Sequence, residues 1–266
     1  MSESLSPRSP DGSAGDADYG LIGANYSSYR VPDPRIARHI LNALGDAETV
    51  LNVGAGVGGY EPEDREVTAV EPSASMRAQR PANLPAAIDA TAEKLPFPDD
   101  SFDAAMTTFS VHQWQNLAAG LSELRRVTRG PVVVLTCGPE LLHRFWLAEY
   151  APEVIATEHR RYPAISALRA GLGGTVTVRS VPIPLDCTDG FNEAYYGRPE
   201  KLLISGARQS CSAWSFIDDE LSHRYAEHLA ADLRSGAWDV RHGALRRQAS
   251  YEGSLVIVRA TAARSG

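Results

Sequence analysis

The chain has 266 residues, 43% of them hydrophobic and 22% charged, with a formal net charge of −7 and a pI near 5.5. That is the composition of a soluble globular protein, long for one domain and short for two, so one domain with insertions is expected. The acidic balance and the lack of a dense basic patch argue against nucleic acid, and no apolar run reaches membrane length. Cys137, Cys187 and Cys211 lie far apart in no metal or disulfide spacing, and no hydrophobic signal core opens the chain, which together point to the cytoplasm.

Residues 1–18 are rich in Ser, Pro, Gly and Asp and read as a disordered N-terminus. Residues 19–45 read as an N-terminal arm followed by the first helix. The arm mixes Tyr19, Tyr26, Tyr29 and Arg30 with few aliphatic residues. It is either a lid that turns phenol and guanidinium groups towards a site or a surface arm pinned by its tyrosines. Asp33-Pro34 is a helix start, with an N-cap carboxylate and Pro in the first turn. Ile36, Ile40, Leu41 and Leu44 give the helix one apolar face, His39 falls on the polar side, and Gly45 ends it.

Residues 46–138 read as a ligand-binding core. Val50-Leu51-Asn52-Val53 is a buried parallel strand that runs into Gly54-Ala55-Gly56-Val57-Gly58-Gly59. A glycine cluster at the carboxyl end of such a strand lets a ligand touch the backbone. Gly54, Gly56 and Gly59 match the dinucleotide fingerprint G-x-G-x-x-G. A second strand, Val67-Thr68-Ala69-Val70, ends in Glu71, a carboxylate placed to accept both hydroxyls of a ribose. Only Tyr60 to Glu66 separate the glycines from that strand, with Pro62 inside. That is room for about one or two helical turns, not a crossover helix. Ser73 caps a short helix in which Met76 is placed either to pack flat on an adenine ring or to fill the core.

A loop stiffened by Pro96 and Pro98 leads to the strand Ala104–Phe109, which leaves through Ser110-Val111-His112-Gln113-Trp114. Leu117 to Thr128 is helical with Leu121, Leu124 and Val127 buried, and Pro131 to Thr136 is another buried strand. Residues 139–253 read as a helical cap interleaved with one sheet strand: helix over most of 141–172, a strand at 175–184, and helix again at 189–203 and 218–233. The last sheet strand is placed at 254–260. The alternation over 34–136 makes an α/β fold, a parallel sheet with helices on both faces.

Three segments together resemble the class I S-adenosylmethionine-dependent methyltransferases, in the methyltransferase type 11 group of small-molecule and quinone enzymes. Asn52-Val53-Gly54-Ala55-Gly56-Val57-Gly58 is similar to the group's glycine motif, Ala69-Val70-Glu71-Pro72-Ser73 to its acidic ribose motif, and Ala92 to Asp103 to its adenine loop. The resemblance implies a doubly wound, mostly parallel, seven-stranded sheet with a helical cap from C-terminal insertions. Its last strand would be antiparallel, at the sheet edge. It implies S-adenosyl-L-methionine as cofactor, held by Asn52, Gly54, Ala55, Gly56, Glu71, Pro72, Met76, Ala92, Glu93 and Phe109. Three departures stand out. Thr91 replaces the Asp common before the adenine loop, so the backbone at Ala92 is left to read adenine. Asn52 replaces a commoner Asp. The shortened crossover shifts contact with the methionine carboxylate towards Arg30, Tyr26 or Tyr29.

Methyl transfer from a sulfonium needs positioning above all, and a general base only where the acceptor carries a proton. His112, just past the fourth strand of the fold, is the candidate base, against a plainly structural buried-turn histidine. Tyr29, Trp114, Trp146, Tyr162 and Tyr195 are candidate walls for the acceptor, and Glu158 with His159 is a further cap pair, although aromatics at helical spacing also build ordinary core. His143, His223, His228 and His242 form no ligand set, and no metal is expected. The expected function is methyl transfer to O, N or C of a small, aromatic metabolite. The partners implied are that metabolite, no nucleic acid, no membrane, and a homodimer as a possible assembly. An NAD-dependent oxidoreductase and a non-catalytic cofactor-binding regulator remain the alternatives.

Overall fold

The computed structural model describes residues 8–17 and 26–262. The expectations for residues 1–7 and for Tyr19 lie outside the described residues. The strands are β1 (Thr49–Val53), β2 (Glu66–Val70), β3 (Ala104–Thr108), β4 (Val132–Cys137), β5 (Thr175–Ser180), β6 (Ile183–Pro184), β7 (Ser250–Tyr251) and β8 (Leu255–Thr261). Six of them form the main sheet in the order β2-β1-β3-β4-β8-β5, and β6 pairs with β7 separately. β2, β1, β3 and β4 run parallel, whereas β8 is antiparallel to both β4 and β5.

Period-two alternation sorts the strand residues between two cores. Val50, Ala104, Met106, Val133 and Leu135 face the helix Pro34–Leu44 and the cap. Leu51, Ala105, Val132 and Val134 face the helices Leu117–Val127 and Ile165–Leu172. Every residue of β4 is buried, as a strand covered on both faces requires. The predicted caps are present: Asp33 accepts a hydrogen bond from Arg35 N and Ser73 from Met76 N; Asn116, which was not predicted, caps the helix Leu117–Val127 by accepting from Ala119 N.

The main sheet has six strands rather than seven. The missing strand survives as a single parallel bridge between Val70 and Ile88, where Ile88 N donates to Ala69 O and Glu71 N to Ile88 O. Pro81 and Pro85 lead into that bridge and withhold the N–H groups a longer ladder needs. The last strand is antiparallel as expected but is not the edge, because β5 pairs outside it. The crossover after the glycines contains turns and no helix, with Tyr60 at φ 65° and Pro62 following. Residues 8–17 lie across the carboxyl end of the sheet as a strap, with Ser13 and Ala17 each 3% exposed.

Candidate functional site

A cavity of about 930 Å³, counted out to its open mouth, lies at the carboxyl ends of β1, β2 and β3. Its floor is the glycine loop. Gly54 N and Ala55 N both donate to Val70 O, at 2.9 and 3.0 Å, which folds the loop back over β2. Gly54 sits at φ 68° and Gly56 at φ 55°, in the left-handed region that favours glycine. A Cβ on Gly54 would fall 1.8 Å from Ser110 Oγ, whereas one on Gly56 would meet nothing within 4 Å and would project into open space. Below the loop lies a buried polar chain. Asn52 Nδ2 donates to Glu61 Oε1 (3.0 Å), and Arg80 Nη2 reaches both Glu61 oxygens at 3.0 and 2.9 Å. Asn52 therefore braces the loop from beneath, 0% exposed, and does not line the cavity.

At one side stand Glu71, Pro72 and Met76. Glu71 is buried and accepts from Gly56 N and Ser73 N, both at 2.8 Å. Burial raises its carboxyl above the usual range, and those two backbone donors work against the rise. Thr91, Ala92 and Glu93 continue this wall, and Glu93 also accepts from Asn116 N. Phe109, at φ 50°, Ser110, Gln113 and Trp114 close the back, where Trp114 Nε1 donates to Ser110 Oγ at 3.1 Å.

The opposite end is built by Tyr26, Arg30, Tyr60 and Asp189. Arg30 Nε donates to Asp189 Oδ1 at 2.5 Å, and Tyr60 Oη to Asp189 Oδ2 at 2.8 Å. Burial works against the Arg30 charge, but Asp189 more than restores it, so the guanidinium stays fully protonated. Its carbon also lies 5.0 Å from the Phe109 ring centre and 5.4 Å from that of Tyr26. Arg30 thus faces the cavity, held by a partner 159 residues away that no local pattern reveals.

The strap supplies the remaining wall through Ser13, Ala14 and Gly15. Ser73 Oγ and Ser75 Oγ donate to Asp11 Oδ2, Ala74 N to Asp11 O, and Gln115 Nε2 to Ala14 O. Arg161 of the cap helix Pro152–Arg161 holds Asp16 through Nε and Nη2. The strap therefore bridges the Glu71 wall and the cap. Asp16 is 47% exposed, so its ion pair is worth at most about 1 kcal/mol. Asp16→Ala is expected to speed release of a bound nucleoside ligand by up to about fivefold. Stopped-flow displacement checks this; an unchanged rate would show that the strap does not gate the cavity.

The other candidates separate. Trp146 is core: its Nε1 donates to Tyr196 O and its ring packs against Trp238. Tyr195 is buried against Gly190, and Tyr29 packs on Gly206 while its carbonyl accepts from Gly190 N. Neither Tyr29, Trp146 nor Tyr195 lines the cavity; for Trp146 and Tyr195 the aromatic spacing of the cap signalled packing. His112 and Tyr162 are likewise not among the residues lining the cavity; they pack on each other, ring centres 4.6 Å apart. Burial, then the Arg161 and Arg30 charges, hold His112 well below its usual pKa, so it is neutral at pH 7. Asp189, Tyr60 and the strap are cavity features without a sequence signal. Among the described residues no group of His, Cys, Asp and Glu is arranged to hold a metal ion.

The geometry fits an adenosyl amino-acid ligand: a loop where side chains are excluded, a carboxylate with two backbone donors beside it, and a buried cation at the far end. Comparison with known proteins agrees. A family model described as a methyltransferase domain matches residues 51–134. A structure of a provisionally named methyltransferase from an antibiotic biosynthesis pathway of Anabaena variabilis is 30% identical, covers 88% of this chain and 99% of its own, and superposes with a TM-score of 0.81. A malonyl-[acyl-carrier protein] O-methyltransferase of Halorhodospira halophila is 33% identical over 44% of the chain, and a demethylmenaquinone methyltransferase of Beutenbergia cavernae 36% identical over 35%. The matches span 46% and 42% of those two relatives, less than half of either.

Proposed function

Because the chain belongs to the class I S-adenosylmethionine-dependent methyltransferases, we propose that it methylates an oxygen, nitrogen or carbon of a small, aromatic metabolite. The observation that carries this reading is the cavity in which Gly54 and Gly56 present bare backbone opposite Glu71. S-adenosyl-L-methionine, when bound, supplies an activated methyl group. Glu71 would take the ribose, Met76 and the Thr91–Glu93 wall the adenine, and Arg30 the amino-acid carboxylate. Arg30 is suited to that task because Asp189 engages its Nε and Nη2, and Nη1 makes no hydrogen bond within the described protein. Strap, cap and the Phe109 wall would exclude water and hold an acceptor in line, which is where most of the acceleration in such a transfer arises.

Aromatic side chains lining the cavity, Phe109, Trp114 and Tyr26, support a flat apolar acceptor. The three cysteines are buried free thiols, which supports a reducing, cytoplasmic setting.

Calorimetric titration tests the reading. S-adenosylhomocysteine is expected to bind with a Kd of about 1–100 μM and NAD not at all. Binding of NAD instead, or of neither, overturns it. A non-catalytic binder would hold S-adenosylhomocysteine yet transfer no labelled methyl group to any metabolite fraction.

A further inference from the structure

The cap holds a second cavity, which methyl transfer does not use. It measures about 920 Å³ out to its open mouth and lies between residues 143–149 and 241–251. It shares no lining residue with the cofactor cavity. A space of this size takes a small organic ligand.

Its floor is apolar and fixed. Phe145 and Trp146, 1% and 3% exposed, reach it from the core, and Leu245 lies beside them. The Trp146 ring is tied down through Nε1, which donates to Tyr196 O at 2.9 Å. Tyr251 stacks on Tyr196, ring centres 5.1 Å apart, and its backbone pairs with Ile183. A flat apolar body would therefore meet rings already ordered, and little side-chain freedom is lost on binding.

The wall is polar, and part of it is unpaired. Arg241 Nε donates to Glu149 Oε2 at 3.3 Å, and Arg241 Nη2 to Asp232 Oδ2 at 2.6 Å. His242 Nε2 lies 3.1 Å from the same Glu149 carboxylate. Arg144 is the cation left over: among the described residues its guanidinium makes no hydrogen bond and no ion pair, in a chain whose formal net charge is −7. Tyr251 Oη likewise has no partner among the described residues, and it is not sealed inside the protein. Burial, then Glu193, raise that phenol to about 12 against the Arg144 charge, so it is a donor near neutral pH. The Arg144 charge is felt at the hydroxyl, so the two groups are neighbours in the wall. A guanidinium and a phenol O–H, both with donors to spare beside an ordered aromatic floor, match an oxyanion joined to an apolar body.

We propose that this cavity is a second ligand site, for a small organic anion of the aryl carboxylate or aryl phosphate kind. Its oxygens would rest on Arg144 and Tyr251 and its body on Phe145, Trp146 and Leu245. Glu149 would repel such an ion if its charge were free, but Arg241 and His242 already engage it. The anion binds alongside a filled cofactor cavity, and the proposal does not depend on the methyl-transfer reading.

The test uses the full chain and three probes followed by fluorine NMR: 4-fluorobenzoate, 4-fluorophenyl phosphate and the uncharged 4-fluorobenzyl alcohol. At least one anion is expected to bind about tenfold or more tighter than the alcohol, and to weaken as salt is raised. The tighter of the two anions names the headgroup. Arg144→Gln should weaken anion binding by about tenfold or more, and Tyr251→Phe by about threefold. Neither variant removes a hydrogen bond made within the described protein, so both should melt close to wild type. Saturating S-adenosylhomocysteine should leave the anion affinity unchanged. Competition between the two would put the anion in the cofactor cavity and overturn the proposal. So would equal binding of the alcohol, anion binding untouched by Arg144→Gln, or binding of no probe.

Discussion

Gly54→Ala is expected to abolish measurable binding of S-adenosylhomocysteine and to lower the melting temperature, while Gly56→Ala abolishes binding at a much smaller cost in stability. Both residues occupy positive φ, which costs an alanine about 1–2 kcal/mol. They differ in what a methyl group meets. At Gly54 it would lie 1.8 Å from Ser110 Oγ, and Ser110 cannot simply turn away, because it accepts the Trp114 indole N–H. Either that bond breaks and the back wall shifts, or the loop lifts off Val70 O and loses the bonds from Gly54 N and Ala55 N. At Gly56 nothing lies within 4 Å, so the methyl group occupies ligand space only. Thermal denaturation and calorimetry on the two variants separate these effects. Equal destabilisation would mean the Ser110 contact is soft, and unimpaired binding by Gly56→Ala would mean the ligand does not approach the loop.

What the sequence made legible here is local. A strand running into glycines, a carboxylate ending the next strand, and Asp33, Ser73 and the helix stops are patterns of neighbouring residues, and each recurs in the structure. The order of strands beyond β4 was not legible, because β8 pairs on both edges with partners distant in the chain. The contacts of the strap were equally out of reach: nothing in a stretch of Ser, Pro, Gly and Asp says that Asp11 and Asp16 meet Ser73, Ser75 and Arg161, far along the chain. Trp146 shows another limit, since helical spacing cannot tell an aromatic that lines a pocket from one that fills a core. Asp189, expected to open a helix over 189–203, lies instead before two short 3₁₀ turns, in a loop bridged to Arg30; only folding places it against Arg30 and Tyr60.

That placement carries the last expected result. Asp189→Ala should destabilise the protein by about 3–5 kcal/mol, because it strands a guanidinium in the interior rather than merely deleting a contact. The Arg30 and Asp189 side chains are 12% and 2% exposed, too little for water to take over the lost charge. The Tyr60 hydroxyl loses its acceptor as well. For a chain of this length the melting temperature would fall by about 6–20 °C. If the cost is the unpaired charge, removing it should return part of the stability. Arg30→Ala in the Asp189→Ala background should melt higher than Asp189→Ala alone, the reverse of what independent losses would give. Denaturation of the two single variants and the double variant makes the comparison. A double variant that melts lower than either single one would show that Asp189 holds the cavity end together by packing, not by neutralising Arg30.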